Sequence, residues 1–245
     1  MSEISYAMSD GVATIRLGAP ERRNALSVQM ARDLTDAALT AEADSSVGAL
    51  VVTGGAHFCA GAVREVLADV GHDPTEEAAY RDLETVYRAF TAIGTVGIPT
   101  VAAVRGAAVG AGLNLALAAD LRIVSATARL IPGFAQIGIH PGGGHFTLLN
   151  RSIGREAAAA LGVFGEGVTG ERAVDLGLAW AAVDDPETED YAASLARRVA
   201  ADPDLARRLV MSFRRETAPG GMPWDVAVEL EKAPQMWSLR RKHGK

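Results

Sequence analysis

Two segments rich in glycine and alanine are the parts of this chain best suited to chemistry. They cover residues 53–62 and 104–114, about fifty residues apart, and each follows a short apolar stretch typical of a buried strand. Small residues let a backbone approach a ligand closely and leave its N–H groups free to point at it. Two N–H groups that converge on one oxygen form an oxyanion hole. The pattern therefore predicts chemistry at a carbonyl or a thioester.

Each segment also has other interpretations. A tight turn that needs small residues for packing explains either segment by itself. Gly110-Ala111-Gly112 begins like a dinucleotide-binding G-x-G-x-x-G loop, but Leu115 occupies the third glycine position. A serine hydrolase would carry a G-x-S-x-G nucleophile elbow, and the sequence contains none. Cys59 lies in a hydrophobic context, which favours an inert buried thiol over a nucleophile.

Two histidines are candidates for proton transfer. His140 and His145 bracket the turn Pro141-Gly142-Gly143-Gly144. A spacing of five residues does not place them on one helical face, and no carboxylate or cysteine lies nearby in sequence, so no metal site is predicted. Imidazole titrates near neutral pH, which suits either ring to acid–base work. A hydrogen-bonded structural role is the alternative for each histidine.

The composition excludes several classes of function. The chain has 245 residues, of which 49% are hydrophobic and 5% aromatic, so we expect one ordinary core of small aliphatic side chains. A formal net charge of −6 argues against a nucleic-acid partner. The single cysteine cannot form an internal disulfide, and the apolar stretches are shorter than a membrane span. With no signal peptide evident, we expect a cytoplasmic protein that binds neither nucleic acid nor membrane.

The elements that must position these residues alternate between strand and helix. Two strands flank a turn at Ser9-Asp10-Gly11, Ser27 caps a helix, and Asp73-Pro74-Thr75-Glu76 is typical of another helix start. The alternation predicts an α/β protein with a mainly parallel sheet. We expect a core at residues 1–190 and a helical region at residues 191–245. Strands are predicted at 4–8, 12–17, 48–53, 99–104, 121–125 and 128–131, and helices at 28–43, up to 93, at 110–119 and after 144.

Several motifs, taken together and in this order, resemble the crotonase (enoyl-CoA hydratase/isomerase) superfamily. They are Pro20-Glu21-Arg22-Arg23-Asn24-Ala25-Leu26, Phe58-Cys59-Ala60-Gly61-Ala62, residues 99–106, Gly110-Ala111-Gly112, residues 119–123, residues 137–144 and residues 173–179. The resemblance implies a spiral of ββα turns with a helical C-terminal region that builds homotrimers, often paired into hexamers. It also implies an acyl-CoA thioester ligand, with coenzyme A as part of the substrate and no separate cofactor.

The same resemblance assigns residues to the ligand. The backbone N–H groups of Ala62 and Ala111 are implied to hold the thioester oxygen, although alanine replaces the usual glycine at the second position. Residues implied to lie near coenzyme A are Arg22, Arg23, Ala25, Ala60, Ala62, Val63 and Arg64. Phe134 and Gly142 are expected to line the substrate pocket.

The sequence departs from the hydratases of this superfamily at both glutamates of the usual acid–base pair. Asn114 and Phe134 occupy those positions, and neither an amide nor a phenyl ring transfers a proton. The expectation is a hydratase- or isomerase-type enzyme with an altered base and with Asn114 orienting substrate or water. A non-catalytic acyl-CoA binding or carrier protein is the alternative. Candidate replacement bases are His140, His145, Glu65 and Asp69.

Overall fold

The computed structural model describes residues 3–63, 66 and 76–243. The strands are β1 (Ile4–Ser9), β2 (Val12–Leu17), β3 (Ala49–Thr53), β4 (Thr100–Val104), β5 (Ala107–Val109), β6 (Leu121–Ser125), β7 (Arg129–Ile131), β8 (Val168–Thr169) and β9 (Ala181–Val183). The helices are α1 (Val28–Ala43), α2 (Glu77–Thr95), α3 (Ala111–Ala118), α4 (His145–Gly162), α5 (Gly170–Asp175), α6 (Thr188–Ala200), α7 (Pro203–Glu216) and α8 (Trp224–His243).

The predicted elements are confirmed, with ends that shift by one or two residues. The turn between β1 and β2 has φ angles of 52° at Asp10 and 73° at Gly11, and positive φ at both positions is what a two-residue type I′ turn requires. The helix start predicted at residues 73–75 lies outside the described residues. Helix α2 is described from Glu77, with Glu76 as its N-cap.

The strands form two sheets. The larger sheet has the order β1-β2-β3-β4-β6-β9 and is parallel from β2 onward, as the alternation of strand and helix predicts. The smaller sheet has the order β5-β7-β8. Strands β3 and β4 are parallel neighbours, so their carboxyl ends meet at one edge of the larger sheet. Both glycine- and alanine-rich segments begin at that edge, where α/β proteins commonly bind ligands.

The main core lies against one face of the larger sheet. Helix α1 begins where Ser27 Oγ accepts a hydrogen bond from the Met30 amide at 3.0 Å, as the predicted N-cap requires. The face of α1 that contains Met30 and Leu34 is fully buried in this core, together with one face of α2 and most of α3. Burial of these apolar faces holds α2 and α3 beside the edge of the sheet where the two segments begin.

Helix α6 covers the other face of the larger sheet. Ala192, Ala196 and Ala200 are buried against β2, β3, β4 and β6. The predicted boundary after residue 190 therefore falls inside a helix that packs on the core sheet. Helices α7 and α8 follow and complete the helical C-terminal part of the chain. Over the described residues, none of the helices combines the length and the apolar character needed to cross a bilayer.

Candidate active site

The two glycine- and alanine-rich segments lie directly against each other. Cys59 and Ala108 form a parallel bridge, in which the Cys59 amide donates to Ala107 O at 3.0 Å and the Val109 amide donates to Cys59 O at 2.9 Å. A methyl group on Gly112 would overlap Cys59 O and lie 2.8 Å from Cys59 Cβ. Residue 112 must therefore be a glycine for the two backbones to pack this closely.

Among the described residues, the backbone amides of Ala62 and Ala111 have no hydrogen-bond acceptor. The backbone groups on either side of Ala62 form hydrogen bonds with Leu26. The Leu26 amide donates to Gly61 O at 2.7 Å, and the Val63 amide donates to Leu26 O at 3.0 Å. Alternation along an extended backbone then turns the Ala62 N–H to the opposite side. Ala111 is the first residue of α3, so its N–H has no acceptor within the helix.

Both amides belong to residues that line one cavity of about 480 Å³. A methyl group on Gly61 would lie 3.9 Å from Ala111 N, which shows how closely the two segments meet at its wall. The wall is mainly apolar, and it includes the predicted pocket residues Phe134 and Gly142. The other lining residues are Ala60, Gly61, Leu83, Val86, Tyr87, Val109, Gly110, Asn114, Pro132, Gly133, Ile137, Ile139 and His140.

Helix α2 contributes a wall of the cavity that no sequence motif indicated. Leu83, Val86 and Tyr87 have the i, i+3, i+4 spacing of a single helical face. That spacing is equally typical of core packing, which is why it gave no indication of a ligand site. Only the placement of α2 beside the edge of the sheet brings this face to the cavity.

Asn114 and His145 are joined in the interior. His145 Nδ1 lies 2.7 Å from Asn114 Oδ1, and Asn114 Nδ2 donates to Gly142 O at 3.0 Å. Because a carbonyl oxygen such as Gly142 O only accepts, the amide must place Oδ1 toward the ring, and Nδ1 must donate the proton. A neutral His145 then keeps Nε2 as an acceptor.

The surroundings of His145 disfavour its charged form. The residue is 1% exposed, and the ring of Phe134 packs edge-on at a centroid distance of 5.0 Å. Burial lowers the pKa of His145 to about 4, because an imidazolium there would lose its hydration. Over the described part of the chain, Nε2 has no hydrogen-bond partner. His145 therefore reaches the cavity through Asn114 and is not itself a lining residue.

His140 occupies a different environment. It is exposed and lines the cavity. Its Nδ1 lies 2.6 Å from Pro141 O, so Nδ1 donates there and the ring of the neutral side chain offers Nε2 as an acceptor. Glu65 and Asp69, the other two candidate bases, lie outside the described residues. His140 and His145 are thus both at the turn, one facing the cavity and one behind it.

The predicted coenzyme A residues are divided between two roles. Arg22 is engaged locally, since it forms an ion pair with Glu3 at 2.5 Å and donates from Nε to Ala25 O at 2.9 Å. Arg23 lines a second cavity of about 280 Å³, which shares Ala60 and Val109 with the first.

Two other predicted residues of this region are also placed. Val63 packs against the main core. Arg64 lies outside the described residues. Asn24, which was not predicted to act, fixes the loop by accepting from the Ala19 amide at 2.8 Å and donating to Gly54 O at 2.8 Å.

Cys59 is unsuited to act as a nucleophile. The thiol is fully buried, and burial raises its pKa to about 12. A thiol with so high a pKa contains almost no thiolate near neutral pH, and the thiolate is the reactive form. Its environment agrees with the inert thiol that the sequence context favours.

Comparison with known proteins identifies the family. The enoyl-CoA hydratase/isomerase family model matches residues 7–230. A "probable enoyl-CoA hydratase" of Mycobacterium tuberculosis is 41% identical over 238 residues, which cover 94% of this chain and 89% of the relative. The 1,2-epoxyphenylacetyl-CoA isomerase of Escherichia coli is 34% identical, over 95% of this chain and 88% of the relative.

A solved structure supports the same assignment. The enoyl-CoA hydratase from Polaromonas sp. JS666 superposes with a TM-score of 0.88 and 27% identity, over 98% of this chain and 93% of the other. The fold and the paired segments define a crotonase-type α/β protein, and the chain belongs to the crotonase, or enoyl-CoA hydratase/isomerase, superfamily.

Proposed function

We propose that this protein is an acyl-CoA enzyme of the hydratase or isomerase type that stabilises a thioester enolate. The Ala62 and Ala111 amides would hold the thioester oxygen, and the acyl chain would occupy the cavity beside Phe134. Coenzyme A enters as part of the substrate, and no separate cofactor is required. The relatives named hydratase and isomerase support this general class of substrate.

One observation carries the proposal. The amides of Ala62 and Ala111 belong to residues that line the same mainly apolar cavity, and neither amide is used by the bridge or by the helix that positions it. Donors fixed before the reaction, in a site with little water, stabilise developing negative charge more strongly than water does. This arrangement is suited to an enolate whatever group moves the proton.

The proton must be moved by a group other than the usual glutamates. Among the described residues that line the cavity there is no carboxylate. His140 offers an imidazole on the cavity wall, and His145 contacts Asn114, another residue of that wall. We therefore assign the proton transfer to a histidine, with His140 as the group in contact with substrate and Asn114 as an orienting group.

The test is the hydration of crotonyl-CoA, followed by the loss of absorbance of the conjugated thioester. Wild type is compared with His140→Ala and His145→Ala, and butyryl-CoA affinity controls for an intact site. Loss of a general base lowers turnover by about 10²–10⁴-fold. A histidine variant that binds normally but loses turnover supports the proposal. Absence of turnover on enoyl, β-keto and malonyl thioesters by wild type would contradict it.

A second candidate function is a non-catalytic acyl-CoA binder or carrier. It is favoured by Asn114, whose oxygen faces His145 and whose nitrogen donates to Gly142 O, so its amide stabilises the fold at the position of a catalytic acid. This function predicts tight binding of acyl-CoA, measured by calorimetry, with no turnover. An acyl-CoA affinity no better than that of free coenzyme A would contradict it.

A further inference from the structure

Tyr87 contributes a hydroxyl-bearing side chain to the lining of the cavity of about 480 Å³. The residue is partly buried on α2, and Leu83 and Val86 of the same face are its apolar neighbours in the lining. Its ring also packs against Phe90 at a centroid distance of 5.7 Å. These contacts fix the direction of the ring and therefore the position of Oη.

The hydroxyl fills the space in front of Gly142. A methyl group on Gly142 would overlap Tyr87 Oη and lie 2.8 Å from Cζ. The lack of a side chain at residue 142 thus makes room for a protic group supplied by another element. Asn114 Nδ2 donates to Gly142 O at 3.0 Å, so the hydroxyl, the glycine and the amide are consecutive neighbours.

This position and the proposed thioester site belong to the lining of one cavity. Asn114 follows Ala111 by three residues in α3, a rise of about 4.5 Å along the helix. Gly142 is in contact with Asn114, and Tyr87 Oη is in contact with Gly142. Because Ala111, Asn114 and Tyr87 line the same cavity, an acyl chain whose thioester oxygen is held at Ala111 can bring an oxygen substituent to this hydroxyl.

The hydroxyl is available to a ligand. Across the described residues, Tyr87 Oη is in no hydrogen bond, whereas the Asn114 amide is engaged on both sides. Burial raises the pKa of Tyr87, so the phenol stays protonated near neutral pH and acts as a donor. A donor in a mainly apolar wall gains from an acceptor on the ligand and loses when an apolar chain covers it.

We propose that Tyr87 recognises an oxygen substituent on the acyl chain close to the thioester. The ligands preferred by this site are then acyl-CoA thioesters with a keto or hydroxyl oxygen near the reacting carbons, in place of plain saturated chains. This inference rests on the proposed binding of acyl-CoA in the cavity. It does not require that the protein be an active enzyme.

The experiment compares acetoacetyl-CoA with butyryl-CoA by calorimetry, because the two ligands differ at C3 by one oxygen and neither can be hydrated. Wild type is expected to bind acetoacetyl-CoA more tightly by about fivefold to tenfold, the size of one net hydrogen bond. Tyr87→Phe is expected to bind both ligands equally, with an affinity for butyryl-CoA at least as high as that of wild type. Tyr80→Phe is the matched control, since Tyr80 lies on the same helix and is 67% exposed, and it should behave as wild type.

Each other outcome has a definite meaning. Equal affinity of wild type for the two ligands overturns the role of Tyr87 and leaves acyl-CoA binding intact. A preference that survives in Tyr87→Phe also overturns it. Failure of both ligands to bind better than free coenzyme A overturns the proposed function and this inference together. Retained butyryl-CoA affinity in Tyr87→Phe shows that the variant is folded.

Discussion

At the scale of single residues, the pair of Asn114 and His145 decides what the site can do. The amide cannot take up a proton, and the ring beside it is held neutral by burial, with its pKa lowered to about 4. The burial that keeps His145 neutral therefore also limits the proton transfer that the Asn114–His145 pair can perform. Replacing either residue should therefore alter the proton uptake of this buried pair as well as the turnover of acyl-CoA.

Replacing Asn114 with aspartate should charge the buried histidine. A carboxylate at the position of Oδ1, 2.7 Å from Nδ1, favours the imidazolium, and we expect the pKa of His145 to rise by about two units. Titration of the ring by NMR measures this directly. Asn150→Asp, at an exposed position of α4, is the control and should leave the ring near its wild-type value. An unchanged His145 pKa in Asn114→Asp would contradict the assigned contact.

His145 should also make stability depend on pH. Its folded pKa of about 4 lies below the ordinary value of 6.5, so the unfolded chain binds more protons between these two values. The neutral His145 ring therefore adds about 3 kcal/mol to the free energy of unfolding. This stabilisation is complete above about pH 6.5 and is lost as the pH falls toward 4. Urea unfolding at about pH 7 and pH 4 should show that His145→Gln loses less stability than wild type.

The control for that measurement is His140→Gln. His140 is exposed, so its replacement should leave the acid-induced loss of stability as large as in wild type. If His145→Gln and wild type lose equal stability between the two pH values, the neutral buried ring is not the cause.

At the scale of elements, the close approach of the two glycine- and alanine-rich segments creates the site. Each segment leaves the carboxyl end of a parallel strand, and the bridge between Cys59 and Ala108 sets their register. Helix α3 then starts with its first amide beside Gly61. A change that separates the two backbones should therefore affect stability and ligand binding together.

Gly112→Ala should have this double effect. Its methyl group would overlap Cys59 O and meet Cys59 Cβ at 2.8 Å, and backbone atoms yield less easily than side chains. We expect a loss of about 2 kcal/mol or more in the free energy of unfolding, with weakened butyryl-CoA binding. Gly167→Ala, where the nearest side-chain atom lies 3.4 Å away, should change both quantities little. Wild-type stability in Gly112→Ala would show that the segments are not tightly packed.

At the scale of the whole molecule, the C-terminal helices combine a fixed position with an apolar surface. Arg214 of α7 donates to both carboxylate oxygens of Asp120, at 2.9 and 2.8 Å, which ties the helix to the core. Phe213 is nevertheless 54% exposed, and Trp224 of α8 is 85% exposed. Exposed aromatic side chains on and beside a helix that is tied to the core favour contact with another subunit.

We expect sedimentation equilibrium to give a mass three or six times that of the 25.5 kDa chain. Phe213→Glu should shift the mass toward the monomer, because burial of a carboxylate in an apolar contact is unfavourable. Leu39→Glu, at a position 48% exposed on α1, should leave the assembly unchanged. A monomeric wild-type protein would contradict the homotrimer or hexamer that the resemblance to the superfamily implies.

Much of this molecule was determined by the sequence alone, because its signals are local. The hairpin, the Ser27 cap, the buried strands and the alternation that implies a parallel sheet depend on residues close together in the chain. The two glycine- and alanine-rich segments are visible in the same way. The sequence also shows directly that positions 114 and 134 carry no carboxylate, because residue type and position alone identify Asn114 and Phe134.

Only the tertiary structure decided which of these residues meet. The contact of Asn114 with His145 spans 31 residues, and Tyr87 of α2 reaches Gly142 in the turn before α4. The periodicity of α2 predicts an apolar face. The same periodicity is expected whether that face packs in the core or lines a cavity. Whether His145 is neutral depends likewise on burial by Phe134 and its neighbours. Contacts and dielectric surroundings arise from packing between distant segments, and no local pattern of residues encodes them.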